Sequence, residues 1–124
     1  MNIKSMGLAW ITVSNLAASK SFFKDILGLT IGQDSSDHGW MEFVAEDKSF
    51  KLGVSATDDS MPMIKPGQNA VVTFTIPCIM EAKAELQKHH VMLLGDIIEI
   101  PGHIKMLMFA DADKNIFQVV EHLD

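Results

Sequence analysis

Apolar residues recur along this chain in two rhythms, and the order of the rhythms repeats. "GLAWITV" (7–13) is apolar and β-branched toward its end, the pattern of a buried strand. In "SNLAASKSFFKDILGL", Leu16, Phe22, Phe23, Ile26 and Leu27 make most of an apolar helical stripe. Ser14 or Asn15 can cap that helix and Gly28 stops it. "LTIGQ" is a short strand. "HGWMEFVAE" (38–46) and "SFKLGVS" (49–55) are two more, split by a turn at Asp47-Lys48. The polar, proline-bearing stretch "ATDDSMPMIKPGQ" then reads as a linker or exposed loop.

After it the pattern starts again. "AVVTFTI" (70–76) is a strand, and "PCIMEAKAELQKHH" is a helix with Pro77 near its N-terminus, where proline is tolerated. "VMLLGDIIEI" is a strand bent at Gly95; "HIKMLMFAD" and "NIFQVVE" are two more. The order β-α-β-β-β thus occurs twice at an offset of about 63 residues, with faint identity between the halves. The predicted class is α+β, a single domain of two βαβββ modules: module 1 about 1–57, a linker about 58–68, module 2 about 69–124. A ferredoxin-like sandwich pair or an ordinary α+β domain is the runner-up.

Composition narrows the function classes. Hydrophobic residues at 48% and charged residues at 21% match a folded domain and argue against disorder. A net charge of −6 with ten thinly spread Lys and Arg disfavours nucleic acid, and suits a soluble protein or one that attracts cationic ligands. The single cysteine, Cys78, rules out an intramolecular disulfide and fits a reducing, cytoplasmic setting. No apolar run approaches the roughly 18 residues of a membrane-spanning helix, and "MGLAWITV" reads as a strand rather than a signal peptide. No membrane partner is expected. The nine methionines suit gap-filling in a core or an adaptable binding surface.

Three segments resemble the vicinal oxygen chelate superfamily of glyoxalase I, the bleomycin-resistance proteins and the extradiol dioxygenases. "ITVSNLAASKSFFKDILGLTI" is similar to the family's first strand, helix and "FY…LGL" ending, with Phe22-Phe23 for Phe-Tyr. "VVTFTIPCIMEAKAELQKHHV" is similar to the second-module strand and helix. "FADADKNIFQVVE" is similar to the closing "DPDGN…E" turn and strand, with Ala112 and Lys114 departing from Pro and Gly. The resemblance implies paired βαβββ modules bent into an incomplete eight-stranded, barrel-like cup around a ligand, and a homodimer.

It also implies where a metal would be held. The glutamate ligand of metal-dependent members falls at Gln118. The ligands early in each module's first strand fall at Leu8 and Val71, and a fourth, in some members, near Leu52 or Gly53. Leu8, Gly53 and Val71 have no donor atom, and Gln118 offers only a neutral amide. A divalent cation needs imidazole, carboxylate or thiolate groups from several directions. The expectation is therefore no metal and no cofactor.

If Leu8 faces inward, period two brings Trp10 and Thr12 with it. Trp40 is a further candidate in module 1. In module 2 the same rule gives Val71 and Thr73, then Gln118, with Met106 and Met108 on the neighbouring strand. His103 precedes a strand and is placed at a rim, as is His38. His89 and His90 end a helix, where a cation suits the dipole. Cys78 at a helix N-terminus lacks a partner base and reads as inert. A relocated metal site from His38, His103 and Glu42 or Glu121 is the enzymatic alternative, with a lyase or dioxygenase type of activity. Acid–base work by Glu42, Glu121 or His103 alone is another. A filled cup acting as an interaction module is the third reading. The preferred one is a metal-independent binding protein for a small apolar or aromatic ligand, or a cationic one, oriented by Gln118 and Thr73 and stacked on Trp10.

Overall fold

The computed structural model describes residues 1, 2, 4 and 7–124, so Met6, at the head of "MGLAWITV", lies outside the described residues. The chain divides into two compact units, Met1–Gln68 and Asn69–Asp124.

In the first unit β1 (Ala9–Val13) leads into α1 (Leu16–Ser21), then β2 (Thr30–Ser35), β3 (Trp40–Val44) and β4 (Lys51–Ala56). The sheet order is β1-β4-β3-β2, with β1 parallel to β4 and the other pairs antiparallel. Asn15 caps α1 by accepting the N–H of Ala18 at 3.0 Å, as its side chain predicts. The helix continues as a wider turn over Phe22–Ile26, and Gly28, at φ +76°, turns the chain away. Phe23 is fully buried and packs on Phe43 with ring centroids 5.3 Å apart. Ile11, Val13, Met41, Phe43, Leu52 and Val54 are buried with it. The turn after β3 closes through Asp47, which accepts from the Ser49 N–H and hydroxyl, while Lys48 takes a left-handed conformation.

The second unit repeats the plan. β5 (Val72–Thr75) leads into α2 (Ile79–Lys88), then β6 (Met92–Ile100), β7 (Ile104–Ala110) and β8 (Ile116–His122), in the order β5-β8-β7-β6. Its core is a stack of Phe74, Phe109 and Phe117, with ring centroids 5.7–6.5 Å apart and planes within 26°. Gly95, at φ +85°, sits in the break of the β6–β7 register between Leu94 and Ile98, so β6 bends where the glycine is. The N-cap of α2 is Cys78, whose side chain makes no capping bond; instead the Glu121 carboxylate of β8 accepts the Ile79 N–H at 2.7 Å. Both units are thus βαβββ modules, and the fold class is the α+β, two-module arrangement read from the sequence. No described helix is long and apolar enough to cross a membrane.

Candidate functional site

In the first unit, strand register puts Trp10, Gly53 and Glu42 in one row and Thr12, Ser55 and Trp40 in the next. Period two sets both rows on the sheet face opposite the Ile11, Leu52 and Phe43 core. Gly53 makes this face what it is. A Cβ built there would collide with the Trp40 ring and lie 2.9 Å from Trp10 Cβ. The missing side chain lets the Trp40 indole lie over β4, where its Nε1 donates to Glu42 Oε2 at 2.9 Å. Trp10 meets Trp40 edge to face, with centroids 6.1 Å apart and planes at 61°. Trp10 remains 38% exposed, as does Leu8, one residue before β1. The Glu42 side chain is 15% exposed, and Lys51 Nζ stands 4.0 Å from its Oε1.

In the second unit, Thr73, Gln118, Met108 and Leu94 form one row, and Thr75, Val120, Met106 and Ile98 the next. Gln118 is half-buried, and its amide Nε2 donates to Met106 Sδ at 3.0 Å. Thr73 and Met108 are exposed beside it, and Val71, just before β5, is exposed too. The structure therefore gathers Thr73, Met106, Met108 and Gln118 on one face. His103 is elsewhere. It lies in the β6–β7 turn, with its ring 4.0 Å from the Asp124 carboxylate. Ile104 pairs with His122 while Met108 pairs with Gln118, so His103 is displaced by four residues or more, roughly 13 Å along the strand.

The turn before β8 is built on Asp111. Its Oδ1 accepts the N–H groups of Asp113 and Asn115, at 3.0 and 2.8 Å, and its Oδ2 accepts Asn115 Nδ2 at 2.9 Å. Burial pushes the Asp111 carboxyl above its ordinary value, outweighing these bonds. Asn69 ties the turn's exit to β5 by accepting the Ile116 N–H and donating to the Ile116 carbonyl.

These residues do not fit a divalent cation. Leu8, Gly53 and Val71 carry no side-chain donor, the space above Gly53 holds the Trp40 ring, and Gln118, whose Nε2 donates to the Met106 thioether, offers only a neutral amide oxygen. Among the described residues no three His, Cys, Asp or Glu side chains converge. Of the alternative ligands, Glu42 engages one oxygen with Trp40, Glu121 engages one oxygen in capping α2, and His38 is exposed with its ring 3.6 Å from Asp37. Sequence reasoning placed Glu42 only as an acid–base or metal candidate. Its bond to Trp40 is a same-strand i, i+2 contact, and the Trp-x-Glu spacing on β3 was the available signal.

No family model and no curated protein matches the sequence. Solved structures do match its fold. An antibiotic binding protein from Streptomyces sp. CB03234 superposes with a TM-score of 0.82 at 22% identity, covering 98% of both chains. A member of the glyoxalase/bleomycin resistance protein/dioxygenase superfamily from Sphaerobacter thermophilus gives 0.81 at 22% identity, over 97% of this chain and 98% of that one. The fosfomycin resistance protein FosX from Listeria monocytogenes gives 0.76 at 13% identity, over 97% and 94%. FosX has also been solved with Mn(II) bound. Binding protein and metal-holding protein alike share this two-module plan, and the chain has the fold of the glyoxalase/bleomycin resistance protein/dioxygenase superfamily, the vicinal oxygen chelate fold.

Proposed function

We propose that the chain is a metal-independent small-molecule-binding protein, similar in role to the bleomycin-resistance branch of the superfamily whose fold it has. The observation that carries this reading is the donor set. The positions that the resemblance assigns to metal ligands hold Leu8, Gly53, Val71 and Gln118, and indole occupies the space above Gly53. What remains on those faces suits binding. Trp10 and Trp40 offer aromatic area; Thr73 and Gln118 offer oriented polar groups among methionines. The antibiotic binding protein among the structural neighbours supports the same role. A second copy of the chain is the expected partner, and the cytoplasm the expected setting.

The test is elemental analysis of protein purified without chelators, followed by titration of small aromatic compounds against tryptophan fluorescence. The expected result is no retained transition metal and saturable quenching. Near-stoichiometric metal that survives dialysis overturns the proposal.

A further inference from the structure

The face of the first unit carries more than aromatic area. We propose that Trp10, Trp40 and Glu42 form a subsite for a planar organic cation, an aromatic iminium or a quaternised heteroaromatic. The inference rests on the ligand-binding reading above and names the ligand class for it. Three observations lead there.

First, the indoles are placed in advance. Trp40 is held at its edge by the Nε1–Glu42 bond and from beneath by the bare backbone of Gly53, so little freedom is lost when a ligand stacks on it. Its plane meets that of Trp10, which is 38% exposed, at 61°, so a flat ring stacked on one indole presents its rim to the other. A cation within about 6 Å of an indole face is attracted by the ring's quadrupole, and indole is the strongest of the aromatic side chains in this respect.

Second, a carboxylate with one oxygen to spare lies at the Nε1 edge of Trp40. Glu42 Oε2 takes the indole N–H. Oε1 has Lys51 Nζ at 4.0 Å, beyond hydrogen-bond distance, and the ammonium is on a side chain 56% exposed. A weakly hydrated aromatic cation at the indoles can displace that loose pairing, and Lys51 then swings to solvent. A neutral ring gains the stacking and nothing from Oε1; an anion meets the carboxylate.

Third, the whole chain favours the same sign. Its net charge of −6 concentrates cations near the surface.

The experiment compares the N-methylquinolinium ion, as chloride, with methylnaphthalene, its neutral isostere, by calorimetry and tryptophan quenching on the full chain. Expected is tighter binding of the cation. Glu42→Gln, which keeps an acceptor for the Trp40 N–H, weakens the cation about tenfold and leaves the hydrocarbon unchanged. Lys51→Ala, which removes the competing ammonium, tightens the cation severalfold. Equal affinities with Glu42→Gln silent overturn the cation subsite while leaving a binding protein. Binding of neither probe overturns the subsite too, and the metal analysis then decides separately whether the metal-free reading survives. If Glu42→Gln unfolds the chain, Lys51→Ala carries the test alone: an unchanged cation affinity overturns the proposal.

Discussion

At the scale of single residues, Gly53 and Lys114 are opposite cases of backbone need. Gly53 has no special conformation; it is required by what lies over it. Gly53→Ala puts a methyl into the Trp40 ring and against Trp10 Cβ, so the ring must lift and release Glu42. We expect a loss of about 1–3 kcal/mol in denaturant unfolding and a red shift of tryptophan emission as the indole meets water. Lys114 sits at φ +66°, where the related turn motif has glycine, and no Lys side chain is at ease there. Lys114→Gly is expected to stabilise by about 0.5–1 kcal/mol, measured the same way. Asp111 gives a pH signature. Its folded carboxyl lies above 3.8 because of burial, so the folded state holds the proton more tightly than the unfolded chain. Its contribution is therefore most favourable at low pH and declines as pH rises from 3.8 through the raised value. Relative to Asp111→Asn, which cannot titrate, the wild type loses stability across that window. Asp34, Asp47 and Asp58, lowered by bonds from Ser36, Ser49 and Ser60, run the other way.

At the scale of elements, caps and registers decide where side chains point. α1 is capped from its own sequence, by Asn15, and α2 from outside it, by Glu121 of β8. That difference explains why "SNLAAS" reads as a helix start on sight while "PCIMEA" shows only a proline. Glu121→Ala is expected to cost about 1 kcal/mol and to raise hydrogen exchange at the first turn of α2, with the β7–β8 ladder unaffected. The bent β6 shows the same limit. Gly95 marks the bend in the sequence, but the pairing of Leu94 with Met108 and Ile98 with Met106 across the break is set by β7. Without it, nothing along the strand says that Ile98 and Met106 share a row.

At the scale of the whole chain, two modules of one topology carry faces of different chemistry. One face is indole and carboxylate; the other is methionine, threonine and amide. Among the described residues, neither carries three converging His, Cys, Asp or Glu side chains. Added Mn(II), Ni(II) or Zn(II) at concentrations that saturate an ordinary metalloenzyme site is expected to leave the melting temperature unchanged. A cation that bound the folded state alone would raise it by mass action. An upward shift that saturates at one metal per chain would contradict this.

The sequence by itself determined the element order, the duplication, the helix stop at Gly28, the lack of side-chain metal donors at Leu8, Gly53 and Val71, and the neutral amide at Gln118. Those properties depend on local periodicity, turn chemistry and residue identity, which are present before any folding. The tertiary structure alone decided that Trp40 lies over Gly53, that Glu42 anchors it, that Gln118 donates to Met106, and that His103 stands at the other end of β7 from Gln118. Rows on a sheet are made by register between strands distant in sequence, and a shift of one residue exchanges the faces. The two tryptophans were visible as aromatic residues from the start. That they meet edge to face, with a carboxylate at the Nε1 edge of Trp40, follows from β1, β4 and β3 pairing as they do.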